Sequence, residues 1–167
     1  MAPYVTMLNE EISDDNPGLE VHFLGSWRRG APLIGDLDFL VVSEGQLSAT
    51  LFDDGIVLPS VVTWQRLGPR IANGDLLLSD GSLMHVDCWQ APPKSRGAML
   101  AFCTGPMALN VYQRQRAKRM GMALSQNALT DRATGRQLDD GTEESIYRIL
   151  RMPYMQPEER QSWVGRR

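Results

Sequence analysis

The sequence predicts an α+β fold, a mixed or antiparallel sheet carrying helices, followed by a small C-terminal α/β part. Three observations lead there. Short apolar, β-branched runs before Gly97 are cut by Gly, Pro, Asn and Asp. The run from Asp36 to Val42 reads as a strand that begins with two acids at period-two spacing. From Gly97 onward the pattern turns helical, and the charge changes sign with it. Residues 1–102 hold 6 Lys/Arg against 13 Asp/Glu, whereas residues 103–167 hold 11 against 7. An acidic half that binds cations and a basic half that grips phosphates is one physical account of that split.

The elements follow in order. Tyr4 to Ile12 reads as a short helix, and Asp14, Asp15, Asn16, Pro17 and Gly18 as a turn. Val21 to Leu24 is a strand that feeds a Gly25-Ser26 turn. Asp36 to Val42 is the second strand, rich in bulky apolar residues as a buried strand requires. Residues 46–65 are ambiguous, and Leu58 to Leu67 fits helix or strand. Arg70–Ala72 and Asp75–Leu78 flank Asn73-Gly74, a strong hairpin signal that predicts a short turn there. Leu83 to Trp89 follows a turn at Asp80-Gly81 and ends at Ala91-Pro92-Pro93-Lys94. Helices are expected at Met99–Phe102 and at about Ala108–Met120, the latter stopped by Gly121. Thr142-Glu143-Glu144-Ser145 offers a helix N-terminus, and Pro153 and Pro157 break the last segment. The expected division is 1–104 and 105–167, near Thr104-Gly105-Pro106.

Composition bounds the function class. With 167 residues and 43% hydrophobic content, the chain can bury a full core or two small packed subdomains. No apolar run approaches the ~20 residues that span a bilayer, so no membrane partner is expected. The start M-A-P-Y-V-T-M-L-N-E-E lacks the basic and apolar regions of a secretory signal. Cys88 and Cys103 sit among apolar neighbours and read as free thiols; no Cys/His set has zinc spacing. An intracellular, cytoplasmic setting follows. The net charge of -3 argues against indiscriminate coating of DNA.

The chemistry is concentrated in G-S-W-R-R-G-A-P-L-I-G-D-L-D, from Gly25 to Asp38. Asp36 and Asp38 point to one face of their strand. Two such carboxylates are costly to hold together unless cations neutralise them. Mg²⁺ suits carboxylate oxygen and substrate phosphate. Phosphoryl transfer from a nucleotide needs a triphosphate cradle, two metal ions and a group near the attacking hydroxyl. Gly25, Ser26, Arg29 and Gly35 make the cradle: bare backbone, a hydroxyl donor and a forked cation. Asp87, a lone acid in L-M-H-V-D-C-W, is the expected third carboxylate on a neighbouring strand.

These motifs resemble those of the family X DNA polymerases. Their signature G-S-[FWY]-R-R-G-x-x-x-x-G-D-[ILMV]-D is matched at every fixed position. The second signature, an aromatic pair before T-G, stands as F-C-T-G at Phe102–Gly105, with Asn110 and Arg114 at the family spacing. M-P-Y-M-Q-P-E-E-R, Met152–Arg160, resembles the family's terminal Y-R-x-P-x-x-R. The resemblance implies a nucleotidyltransferase-type palm over 1–104 and a nucleotide- and template-binding thumb (also called fingers) over 105–167. It implies that Asp36 and Asp38 bind two Mg²⁺ ions, with Mn²⁺ as a substitute, and that Asp87 binds the catalytic one near the primer 3′-hydroxyl. Ser26, Arg29 and Gly35 would hold the β- and γ-phosphates. Phe102 would stack beside the sugar, with backbone near Gly105 helping to exclude a 2′-hydroxyl. Asn110 would touch the minor-groove edge of the base, and Arg114 the template strand. A cis peptide is expected at Gly105-Pro106, where proline reduces the cis penalty from ~3 to ~1 kcal/mol.

Some positions depart from the family pattern. His85 and Trp89 flank Asp87 where arginines are usual. Met107 replaces an acid, and Cys103 the second aromatic. About twenty residues precede the cradle, too few for the family's N-terminal lyase domain, so no lyase activity is expected. The implied function is gap-filling, repair-type DNA synthesis by a monomer, with dNTP and a DNA primer-template or gapped DNA as partners. The alternative is an untemplated nucleotidyltransferase acting on RNA, protein or a small molecule. A catalytically silent DNA-binding accessory is disfavoured by the retained Asp36, Asp38 and Asp87. The short Asn73-Gly74 hairpin counts toward templated synthesis.

Overall fold

The computed structural model describes residues 20–44 and 61–163, together with Thr6 and Glu10. Those two positions are helical, as expected for Tyr4–Ile12. The rest of that helix, the Asp14–Gly18 turn and the ambiguous stretch up to residue 60 lie outside the described residues. The chain divides into two compact units: Met1–Trp27 with Pro32–Pro92, and Arg28–Ala31 with Pro93–Arg167. The division thus falls at Pro92/Pro93 rather than near Thr104/Gly105, because the helix over 96–104 packs within the second unit.

The first unit is a five-stranded mixed sheet. Its strands are β1 (Glu20–Phe23), β2 (Asp36–Val42), β3 (Val61–Leu67), β4 (Ile71–Leu77) and β5 (Leu83–Ala91), in spatial order β1-β2-β5-β4-β3. β2 and β5 run parallel, and the other pairs are antiparallel. Alternation on β2 and β5 sends Leu37, Phe39, Val41, Met84, Val86 and Cys88 into one core, joined by Ala72 and Leu76 of β4. Trp27 packs against this cluster. Burial pushes the Cys88 thiol well above its ordinary range, helped by the neighbouring Asp87 charge. Both cysteines are free thiols.

The expected Asn73-Gly74 turn does not exist. β4 runs straight through both residues: Asn73 pairs with Asp87 and Arg66, and Gly74 with Val86 and Trp64. Hydrogen bonding on both edges outweighs the local turn preference. Reversal occurs instead where the Gly68 amide donates to Ile71 O at 2.9 Å, and at Asp80-Gly81, where Gly81 has φ 82°. The Asn73-Gly74 hairpin therefore carries no argument for templated synthesis.

The second unit begins with a 3₁₀ turn at Pro93–Ser95 and holds α2 (Arg96–Thr104), α3 (Met107–Arg119) and α4 (Glu143–Ile149); α1 is the short Gly25–Arg28 turn of helix. A two-stranded ribbon, β6 (Met122–Leu124) with β7 (Leu129–Asp131), and a 3₁₀ helix at Pro157–Ser162 complete it. Gly121, at φ 75°, stops α3 as expected. Thr142 caps α4, its hydroxyl accepting the Ser145 amide at 3.2 Å. Ala98, Ala117, Met122, Leu129, Ile146 and Leu150 form the core. Gly97 lets α2 touch the start of α4, since a Cβ there would lie 2.2 Å from the Thr142 carbonyl carbon. The Gly105–Pro106 bond is cis. Among the described residues, no helix is long and apolar enough to cross a membrane.

Candidate functional site

The acids sit on the sheet face opposite the first core. With Leu37 and Phe39 turned inward, Asp36 and Asp38 point the other way, and so do His85 and Asp87 between Met84, Val86 and Cys88. In the parallel register Asp38 lies opposite Asp87, and Asp36 opposite His85. Asp38 and Asp87 are half-buried; Asp36 is exposed. The three acids thus come to one face on adjacent strands, although among the described residues no three His, Cys, Asp or Glu side chains converge as a metal-holding group.

Gly25 explains how Asp38 is accommodated. It has φ 56°, and a Cβ at that position would sit 2.2 Å from Asp38 Oδ2. The absent side chain is the space the carboxylate occupies. The Leu24 amide donates to Asp38 O at 2.8 Å, which ties the turn to the acid strand. Among the described residues, Ser26 Oγ is buried without a hydrogen-bond partner, an orphan polar atom of the kind a ligand satisfies. Among the described residues, Gly35 has nothing within 4 Å of where a Cβ would lie. We expect Gly25→Ala to cost about 1–2 kcal/mol for the left-handed backbone alone and to dislodge Asp38 besides. A melting curve checks this; the expected drop is roughly 2–8 °C.

Phe102, Gly105, Asn110 and Arg114 belong to the second unit. Phe102 is held from two sides. Asn110 Nδ2 donates to Phe102 O at 2.7 Å, and the Arg114 guanidinium lies 5.2 Å from the ring centroid. Arg29 belongs to this unit, not to the one carrying Gly25 and Ser26. Its Nη1 donates to Thr104 O at 2.5 Å and its Nε to Gln161 Oε1 at 2.8 Å. Gly105 adjoins it: a Cβ there would lie 3.6 Å from Arg29 Nη1.

Other features escaped the sequence reading. Arg28 donates to Thr104 Oγ1 at 2.5 Å and to Glu143 Oε2 at 2.9 Å. Arg160 Nη1 donates to Glu143 Oε1 at 2.5 Å, and Tyr154 OH to Oε2 at 3.2 Å. Glu143 and Arg160 side chains are 2% and 0% exposed. Burial pushes the Glu143 carboxyl up, but the hydrogen bonds from Arg160 and Arg28 outweigh it and hold the group below its ordinary 4.5. The signals were the arginine doublet at Arg28-Arg29 together with Tyr154 and Arg160 of the terminal segment, since Glu143 itself reads as an ordinary N-terminal helix acid. A carboxyl lowered in the fold stabilises at pH above its unfolded value, and that contribution is lost as pH falls through the folded one. We expect acid unfolding to steepen below about pH 4.5, and Glu143→Gln to flatten that limb of a stability–pH profile. His85 stands between two acids: its Nδ1 is 3.5 Å from Asp75 Oδ1 and its Nε2 is 3.5 Å from Asp87 Oδ1.

Residues 99–161 match the DNA polymerase beta thumb family model. The chain is 28% identical to DNA polymerase lambda of Rattus norvegicus, over 87% of this chain and 29% of that protein. Both matches are similarities to DNA polymerases of the beta and lambda kind. Its fold is similar to that of Leishmania infantum polymerase beta, solved as a ternary P/T complex: TM-score 0.76 at 22% identity, covering 95% of this chain and 74% of that one. The chain spans under a third of the length of the curated relative it matches. The mixed sheet with helices is the α+β architecture expected.

Proposed function

We propose that this chain is a DNA-directed DNA polymerase that transfers a nucleotide from dNTP to a primer 3′-hydroxyl, filling short gaps. The observation that carries the reading is the parallel register that sets Asp38 opposite Asp87, with Asp36 on the same face. Three oxygen donors of that type fit a hard divalent cation, and the orphan Ser26 hydroxyl can donate to an anionic ligand. Asp36, Asp38 and Asp87 would hold two Mg²⁺ or Mn²⁺ ions, which supply charge neutralisation at the transferring phosphoryl group and favour the ionised 3′-hydroxyl.

The chain's own residues bind and orient. Ser26, Arg29 and Gly35 hold the β- and γ-phosphates. Phe102, steadied by Asn110 and Arg114, presents its ring to the sugar, with the Gly105 backbone beside it. Asn110 also meets the minor-groove edge of the base, and Arg114 the template strand. In this reading the first unit is the palm and the second the thumb, and the active form is a monomer. The named relative is a DNA polymerase, and the named structural neighbour was solved as a P/T complex; both support DNA as the partner here.

The test is extension of a labelled primer by one nucleotide with Mg²⁺, and again with EDTA. Extension that needs the metal supports the proposal. Transfer to RNA, protein or a small acceptor, with none to a DNA primer, would favour an untemplated nucleotidyltransferase.

A further inference from the structure

A cavity of about 420 Å³ opens on the second unit, between α3 and the last segment of the chain. Tyr112, Tyr154 and Trp163 line it together with Arg116 and Arg151. The Tyr112 and Trp163 rings pack with centroids 5.3 Å apart, tilted by 55°. The same pair walls a second hollow of about 520 Å³, beside Met107 and Val111. A tilted aromatic pair therefore stands between two open depressions along one side of α3.

The basic groups are placed by the fold. Arg116 donates to the carbonyls of Leu150 and Arg151, the second at 3.1 Å. That contact holds the turn after α4, where Arg151 takes φ 54° and stays exposed. Glu159, the acid of the lining, is tied to the Gln156 amide at 2.7 Å. On α3, Arg114, Lys118 and Arg119 are exposed. Half-buried rings that line a cavity beside cations match an unpaired nucleotide, whose base stacks and whose phosphate pairs with arginine. A cavity of this volume is in the range that takes a small ligand.

We propose that this groove binds an unpaired nucleotide of single-stranded DNA, its base stacked on Trp163 and its phosphate paired with Arg151. The inference does not rest on the polymerase reading, because it needs neither metal nor dNTP. It is tested by fluorescence anisotropy of a labelled (dT)₈ strand with the full chain, in the absence of both. Wild type should bind. Trp163→Leu should weaken binding roughly tenfold, the loss of one stacked base, and Trp163→Phe should restore most of it. Arg151→Gln should lower the slope of log affinity against log salt by about 0.7, one phosphate contact on a single strand. Melting curves of each variant report the fold; if Trp163→Leu unfolds, the salt slope of Arg151→Gln carries the test. Failure of wild type to bind, or unchanged binding and salt slope in the folded variants, overturns the proposal and leaves the polymerase reading standing. Bound (dT)₈ without template-directed extension overturns the polymerase reading alone.

Discussion

Asp38→Asn is expected to fold as the wild type does and to lose at least about 10³-fold in nucleotide transfer, ~4 kcal/mol of transition-state stabilisation. Asp38 is the acid that register places against Asp87 and that the missing Gly25 side chain accommodates. The amide keeps the shape and removes one anionic oxygen donor. Removing a carboxylate from an acidic sheet face relieves repulsion when no cation is present, so the variant should melt at or slightly above the wild-type temperature without Mg²⁺. Added Mg²⁺ should raise the wild-type melting temperature, as a ligand bound to the native state does, and raise that of Asp38→Asn less. Rate measurements paired with melting curves separate the outcomes. If the fold collapses on this substitution, Asp38 is a structural acid.

Glu143→Gln should destabilise the second unit by about 3–5 kcal/mol, the cost of breaking a buried ion pair from one side. The carboxylate takes hydrogen bonds from Arg28, Arg160 and Tyr154, and the Arg160 side chain is fully buried. With the charge gone, two arginines remain with no carboxylate between them. Arg160 retains its two bonds to Met155 O, at 3.0 and 2.8 Å, and its place over the Tyr147 and Tyr154 rings, so it has nowhere else to go. Denaturant unfolding of the variant measures the loss. A change below ~1 kcal/mol would place the network among inconsequential surface pairs.

The sequence made local features legible where a local cause set them. The D-x-D strand, the helix stopped by Gly121 and the Thr142 cap follow from residues within a few positions of one another, whereas the cis Gly105–Pro106 bond was what the resemblance implied. Asn73-Gly74 misled because its conformation is set at a distance: β3 and β5 claim its hydrogen bonds from both sides. Glu143 was illegible for the same reason, since Arg28 reaches it across 115 residues. Asp87 was legible because a lone carboxylate in an apolar strand is costly to keep unless a cation or a donor offsets its charge. Its partnership with Asp38 came from strand order, which no local pattern contained.

The most direct test of the central claim is single-nucleotide incorporation with Mg²⁺ on a one-nucleotide-gapped duplex, each dNTP measured against each template base. The polymerase reading predicts that the complementary dNTP is incorporated fastest opposite every template base. Incorporation indifferent to the template base, or none on DNA, would contradict it.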